Sequence, residues 1–267
     1  MLTWTILGLG LFAGLTIFLS LPVARMREIP SVVRIFLGSL TAGILLFLFW
    51  DVMDQAIAPL SAAAYANDVG TVGLDAVLVL GAFGLSFLGL TSFELWYRAR
   101  VATGPAQPDG RPAPLSPLRA MEFIAVGIGF HNFAEGLAIG TAAAVTGGLT
   151  TATVLVVGFA LHNATEGFGV AGPAVAAGVV PSWRRLAALG LVAGGPTFLG
   201  TIVGSVVVLP DVSLAFLGVA AGAIIYVVIE LVQGGRGVVS PRVRTMGIFV
   251  GFAVGLLTDL VVTAGHV

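Results

Sequence analysis

Long apolar stretches alternate with short polar, Pro- or Gly-containing connections along the whole chain. Each stretch has about 20 or more residues, enough for a helix to cross a hydrocarbon core ~30 Å thick. The division between the fourth and fifth stretches rests on Gly147-Gly148 as a break. The pattern predicts eight transmembrane helices, at about Thr3–Leu21, Val32–Met53, Thr71–Trp96, Met121–Thr146, Thr150–Ala171, Leu186–Leu209, Val212–Val232 and Thr245–Ala264.

Composition supports an all-α, polytopic membrane protein. The mean hydropathy is +1.07, 58% of the residues are hydrophobic and only 9% are charged, which is typical of chains that live in lipid. The net charge of −1 argues against a nucleic-acid partner. The chain has no cysteine, so neither disulfides nor thiolate ligands are available.

The arginines predict the orientation. All twelve basic residues are arginines, and they lie in or beside alternate connections: the first, third, fifth and seventh. By the positive-inside rule these connections are cytoplasmic, which places both termini on the extracytoplasmic side of a cell membrane. The first apolar stretch has its arginines after it and no charged segment before it, so it is predicted to be a retained helix and not a signal peptide.

One connection is much longer than the others. Ala99–Leu118 contains five prolines and two glycines, a composition typical of a mobile linker with no core of its own. The chain is therefore predicted to be a single transmembrane domain, residues 1–267, with a mobile cytoplasmic loop at about 99–118.

The chemistry is concentrated in two nearly identical patches in the fourth and fifth predicted helices. In each patch a His and a Glu are four residues apart, so a helix places imidazole and carboxylate on one face. Two such pairs on adjacent helices supply four nitrogen and oxygen ligands of the kind that suits zinc, iron, manganese or cadmium. The patches are His131-Asn132-Phe133-Ala134-Glu135-Gly136 and His162-Asn163-Ala164-Thr165-Glu166-Gly167.

Burial in a membrane makes idle ionisable groups improbable here. Each costs about 2.5–3.5 kcal/mol on insertion scales, so such groups are retained where they pair, bind ions or line water. His131, Glu135, His162 and Glu166 are therefore predicted to be metal ligands. Asn132 and Asn163 are either further ligands or hydrogen-bonding contacts between helices.

Other acidic residues leave alternatives open. Asp51 and Asp54 share a face near the outer end of helix two, where they form either an acidic entrance for cations or an ordinary solvated surface. Glu94 and Glu122 lie close to arginines, which favours interfacial ion pairs over an exit path. No role is assigned to Asp75, Glu230, Asp259 or His266. Small residues four apart, such as Ala82 and Ser86, Gly200 and Gly204, and Gly251 and Gly255, predict close helix packing.

The paired motif, followed by Ala171-Gly172-Pro173, resembles the fourth and fifth transmembrane helices of the Zrt/Irt-like (ZIP) divalent-metal transporters. The eight helices, outward termini and long loop after helix three match this family along essentially the whole chain. The resemblance implies a mid-membrane site at His131, Glu135, His162 and Glu166. In some members a second metal is bridged by the two glutamates and completed by the residues at Asn132 and Asn163.

The chain also departs from the family pattern. Ala134 and Thr165 stand where the family usually has Pro before each motif Glu, which predicts less kinked helices. Gly195, just before Pro196, aligns with a helix-six Glu of the family. Without that carboxylate, two glutamates offer only −2 against two dications, so one tightly bound ion is predicted, and Gly195→Glu is expected to strengthen a second site.

The sequence thus favours a secondary transporter that moves divalent metal ions, zinc foremost and also iron, manganese or cadmium, into the cytoplasm. The metal is then the transported substrate, and no separate cofactor is expected. A membrane-embedded metal-dependent enzyme is the alternative, but no His-Glu-x-x-His pattern and no Ser or Cys nucleophile near a His supports it. A structural or sensory metal site is a third reading. The expected partners are metal ions and the bilayer. The sequence does not determine whether the protein forms a homodimer.

Overall fold

The computed structural model describes residues 3–26, 30–101, 116–144, 148–206, 210–234 and 240–264, and these form helices with no β-strand among them. The eight helices are α1 (Trp4–Leu15), α2 (Ser31–Tyr65), α3 (Val69–Val101), α4 (Pro117–Ala144), α5 (Leu149–Ala177), α6 (Trp183–Val206), α7 (Pro210–Gly234) and α8 (Pro241–Ala264). Eight helical spans are long and apolar enough to cross a membrane, the first of them running from Trp4 to Arg25. The predicted all-α polytopic bundle is confirmed, and so is the break at Gly148, which directly precedes α5.

The first span differs from the prediction. It is α-helical only to Leu15 and continues as two 3₁₀ turns, Thr16–Leu19 and Leu21–Arg25. The Thr16 hydroxyl donates to the carbonyl of Ala13 at 2.7 Å, a local bond that competes with the helical ladder. Pro22 supplies no N–H at the second turn. After α1 the chain is therefore wound as a 3₁₀ helix, which is tighter than an α-helix, where it packs against α5.

Helix α2 runs past the predicted end at Met53 as far as Tyr65, with Pro59 inside it. Several alanines with high helix propensity accompany this proline. A tight turn then reverses the chain, and Asn67 adopts φ 58° there. Asp68 accepts hydrogen bonds from the Thr71 amide at 3.1 Å and from its hydroxyl at 2.7 Å. These bonds hold the pKa of the exposed Asp68 carboxyl below its ordinary value.

Helix pairs pack through small residues, as the sequence predicts. Helix α4 packs mainly on α6, α2 on α8, and α3 on α7. A Cβ added to Gly204 would collide with the Leu137 carbonyl, and one on Gly251 with the Leu40 carbonyl. One on Gly222 would lie 3.0 Å from Cβ of Ser86. All three predicted small-residue spacings therefore lie at close helix contacts.

Several arginines near the helix ends contact residues of other helices or connections. Arg25 donates to the carbonyl of Pro181, and its guanidinium lies 4.8 Å from the centre of the Trp183 ring. Glu122 accepts from Arg185 at 2.7 Å and from Arg119 at 2.6 Å. The ion pairs predicted for Glu122 are therefore present, with Arg185 as a partner that the sequence did not indicate.

A second polar contact joins α3 to α7. Glu94 pairs with Arg98 and accepts a hydrogen bond from the Tyr226 hydroxyl at 2.9 Å. Arg98 also lies 3.6 Å from Glu230, which gives that unassigned residue a partner. Most of the predicted linker, residues 102–115, and His266 lie outside the described residues.

Candidate metal centre

The two motifs lie deep in the bundle. At 1.5 Å per residue, His131 and Glu135 are about 21 and 27 Å along α4 from Pro117. His162 and Glu166 are about 22 and 16 Å along α5 from its end at Ala177. Both helices are continuous across the motifs. The two pairs therefore lie at similar depth, far from the helix ends.

Glycines within and opposite the motifs let the neighbouring helices approach. A Cβ on Gly136 would collide with the carbonyl of Thr197, and one on Gly200 with the carbonyl of Phe133. On α5, a Cβ on Gly167 would lie 2.5 Å from the carbonyl oxygen of Ile17. The motif on α4 is thus packed against α6, and the motif on α5 against the 3₁₀ turn after α1.

The side chains of the two pairs converge. Nε2 of His131 lies 2.9 Å from Oε1 of Glu135 and 3.6 Å from Oε1 of Glu166. Nε2 of His162 donates to the same Glu135 oxygen. One ligand atom each from His131, Glu135 and His162 lies within 4.8 Å of the others. Ligands at about 2.1 Å from a tetrahedral ion are roughly 3.4 Å apart, so this spacing is of the right size for a metal site.

Several of these atoms have no hydrogen-bond partner in the part of the chain that the structure describes. They are Nδ1 of His131, Oε2 of Glu135 and Oε1 of Glu166. His131 is 1% exposed and Glu166 0%, so protein burial withholds bulk water from both. Buried polar atoms rarely stay unpaired. Unpaired carboxylate oxygens beside two imidazoles are compatible with a metal site.

Charge points the same way. Glu135 and Glu166 carry two negative charges when ionised, and no ion pair among the described residues joins either one to an arginine. A divalent cation bound by both carboxylates would leave the centre neutral. Neutrality matters because unpaired charge is costly at membrane depth.

The asparagines contact other helices. The Asn132 amide donates to Oε2 of Glu166 at 3.2 Å and to the carbonyl of Ala193 on α6 at 3.0 Å. The Asn163 amide donates to the carbonyl of Ala13 on α1 at 3.3 Å. Each asparagine therefore makes a hydrogen bond between helices, which is one of the two roles predicted for it. Their Oδ1 atoms have no partner among the described residues, so the ligand interpretation also stays a prediction.

The expectation for Gly195 was wrong in geometry. A Cβ on this residue would meet open space, with no described atom within 4 Å. Leu191 and Leu199, one turn away on the same face of α6, are 61% and 56% exposed. A glutamate at position 195 would therefore point away from α4 and α5. Ala193 and Thr197, the nearby residues of α6 that precede and follow Gly195 by two positions, are both fully buried.

Sequence reasoning also missed two contacts of this region. The carbonyl of Ala193 accepts from Asn132, and no side-chain pattern could have indicated a main-chain acceptor. Gln55 donates from Nε2 to Oδ2 of Asp51 at 2.9 Å. Their spacing of four residues on one helix was a readable signal for this bond.

A scan of the chain against protein-family models found no matching family, and a search of the curated proteins found no match. Fold and site geometry therefore define the protein as far as a multi-pass helical membrane bundle with a buried His/Glu cluster suited to a metal ion.

Proposed function

We propose that the chain is a secondary transporter of divalent metal ions, of the ZIP kind, that carries its substrate through His131, Glu135, His162 and Glu166. One observation carries the proposal: ligand atoms of His131, Glu135 and His162 lie within 4.8 Å of one another, and Glu166 lies 3.6 Å from His131, inside a bundle of apolar helices. Mid-membrane binding between helices is the arrangement that alternating access requires.

The ligand set favours borderline metals. Two nitrogen and two carboxylate oxygen donors suit zinc, and they also accept iron, manganese and cadmium. The two carboxylate charges match a dication and would leave a monovalent ion's site negative. Zinc is therefore the first substrate to test.

Direction follows from the arginines. If the arginine-bearing connections are cytoplasmic, both termini are extracytoplasmic, and uptake into the cytoplasm moves the ion toward the arginine-bearing ends.

Catalysis is the less favoured alternative. The cavity beside the cluster measures about 30 Å³, whereas sites that enclose organic ligands are roughly 300–1,000 Å³.

Metal flux into sealed vesicles tests the proposal. Purified protein is reconstituted into liposomes that contain a fluorescent zinc chelator, and zinc is added outside. We expect saturable zinc uptake that protein-free liposomes lack and that a Glu135→Gln variant, incorporated to the same level, loses. Absence of uptake by the parent protein, shown to be folded and incorporated, would refute transport.

A further inference from the structure

Aromatic rings and arginines meet where α3 ends and α4 begins. Four residues near the end of α3 have the spacing i, i+3, i+4 and i+7, which places them on one face of the helix: Phe93, Trp96, Tyr97 and Arg100. Phe123 of α4 packs against this face, with its ring centre 5.8 Å from that of Phe93 and 5.6 Å from that of Tyr97. We call these residues, together with Arg119 of α4, the α3–α4 patch.

Two guanidinium groups lie over rings of the patch. That of Arg100 is 4.4 Å from the centre of the Trp96 ring, and that of Arg119 is 5.7 Å from the centre of the Tyr97 ring. Both distances are within the roughly 6 Å at which a cation is attracted to a ring face. This attraction positions a guanidinium without engaging its N–H donors, which stay available for hydrogen bonds.

Arg100 differs in this respect from the other arginines that lie over rings. Arg25 donates to the carbonyl of Pro181, and Arg119 donates to Glu122 at 2.6 Å. Arg100 is exposed, and no hydrogen bond or ion pair joins it to any residue that the structure describes. The patch therefore holds a positioned cation whose donors face outward from the described chain.

The formal charge of the surroundings favours an anion. Glu122 is shared by Arg119 and Arg185, so with Arg100 there are three positive charges against one negative charge. Glu94, on another face of α3, is turned toward α7 and is already paired there. A net charge of +2 on the formal count thus lies at this end of α3 and α4.

The depth of these groups suits a phospholipid better than a soluble anion. Arg100 and Arg119 lie about 1.5 and 3 Å from the ends of their helices, whereas Trp96 and Phe93 lie about 8 and 12 Å from the end of α3. Trp96 is 49% exposed and Phe93 54%. Cations at the helix ends with exposed rings deeper in the span match a charged headgroup above acyl chains. A soluble anion would contact the arginines and leave the rings unused.

We propose that the α3–α4 patch binds an anionic phospholipid of the leaflet at the arginine-bearing ends. Arg100 and Arg119 bind the phosphate, which a guanidinium recognises with paired N–H donors. The rings of Trp96 and Phe93 lie against the glycerol and the upper acyl chains. This binding function goes beyond metal transport, because none of these residues belongs to the His/Glu cluster.

Tryptophan fluorescence can report the lipid at the patch itself. The chain has four tryptophans, and replacing three of them by Phe, at Trp4, Trp50 and Trp183, leaves Trp96 as the reporter. This variant is reconstituted in mixtures of phosphatidylcholine and phosphatidylglycerol, one of which is brominated near the glycerol and quenches the tryptophan that it contacts. We expect phosphatidylglycerol to be preferred about 5-fold or more. Arg100→Gln should lower the preference below about 2-fold.

Arg242 provides a matched control. It is an exposed arginine near the start of α8, at the same end of the bundle, and no ring contact joins it to a described residue. Arg242→Gln should leave the preference at Trp96 within about 1.5-fold of the parent, because salt screens distant surface charges. Equal losses in the two variants would assign the preference to the general surface potential and refute the site.

Further arms separate the remaining explanations. A variant that keeps Trp183 instead of Trp96 should show a preference below about 2-fold, because Arg25 beside it is already bonded. Inorganic phosphate in place of chloride, at equal ionic strength, should not change the preference at Trp96, and its loss would show a site for soluble anions instead. No preference in the parent would overturn the proposal. If the single-tryptophan chain does not fold, native mass spectrometry of phosphatidylglycerol retained by the parent and by Arg100→Gln decides, and equal retention contradicts the site.

Discussion

The two motif copies share a sequence pattern but have different neighbours. On α4, His131 and Glu135 line the cavity, and Oε1 of Glu135 faces both imidazoles. On α5, Glu166 is fully buried and accepts a hydrogen bond from Asn132. The α4 pair thus borders the cavity, whereas Glu166 of the α5 pair is enclosed by protein.

If the cluster binds a metal ion as proposed, this difference gives a repeated motif two kinds of ligand. The repeat fixes which atoms are available, whereas the packing of each helix decides which of them can exchange. We expect the α4 pair to be where the ion arrives and leaves, and the α5 pair to hold the geometry. Variants in equivalent positions of the two copies can sharpen or break this comparison.

The largest effect is expected where the copies are alike. Glu135→Ala and Glu166→Ala each remove one of the two charges that neutralise a dication, so each should abolish transport, with uptake at least 100-fold below the parent. This exceeds the roughly 10- to 100-fold cost of losing a partner outside the ligand set. Zinc uptake by proteoliposomes with equal protein incorporation measures it. Uptake near the parent rate in either variant would contradict the proposed site.

Substitution of the two asparagines should affect zinc affinity differently in the two motif copies. Asn132→Ala removes the hydrogen bond to Glu166, so zinc affinity is expected to fall about 10- to 100-fold. Asn163→Ala removes a bond to α1 only, so it should cost about 1 kcal/mol of stability and leave affinity within about 3-fold. Equilibrium zinc titration and thermal unfolding of both variants test this. Equal losses of affinity would instead favour Asn132 and Asn163 as ligands.

Acidification should weaken binding through both copies. Imidazole binds metal only in its neutral form, and an unperturbed imidazole titrates near pH 6.5, so protons compete with the metal. Apparent zinc affinity is expected to fall about 10-fold or more between roughly pH 7.5 and 5.5. Zinc titrations across this range, with unfolding monitored in parallel, measure it. An affinity that does not change would exclude coordination by His131 and His162.

The smallest effect is expected on α6. Because Gly195 faces open space, Gly195→Glu should leave the number of bound ions unchanged, contrary to the expectation from the sequence. Anomalous scattering from cadmium-soaked crystals should show one strong peak between α4 and α5 in parent and variant alike. A second peak that appears only in the variant would restore the family alignment of helix six. Two equal peaks in the parent would refute the argument that two glutamates cannot hold two dications.

The sequence predicted the features that depend on one helix alone. Eight spans follow from apolar length, and the convergence of His131 with Glu135 follows from their spacing of four on one helix. The convergence of the two copies needed the assumption that α4 and α5 are neighbours, which a short connection favours. The glycine spacings were readable because close helix contacts exclude larger side chains.

Features that depend on the rotation of one helix against another were not readable. The direction of Gly195 follows from which face of α6 packs on α4, and an alignment based on the following proline does not determine it. The acceptor for Asn132 is a main-chain carbonyl of Ala193, and every residue has such a group. The change to 3₁₀ winding after Leu15 coincides with a hydroxyl bond from Thr16 that many helices accommodate without ending.

The placement of the arginines has a practical consequence for sidedness. Trypsin cuts after lysine and arginine, and this chain has arginine only, in or beside alternate connections. If these connections all lie on one face, as the positive-inside rule predicts, the protease reaches cleavable bonds in sealed vesicles from that face alone. Arg185, held by Glu122, and Arg25, held by Pro181, should be cut more slowly than the exposed Arg242. Whether the chain is cut at all would then report, without any label or mutation, which face of the protein is turned outward.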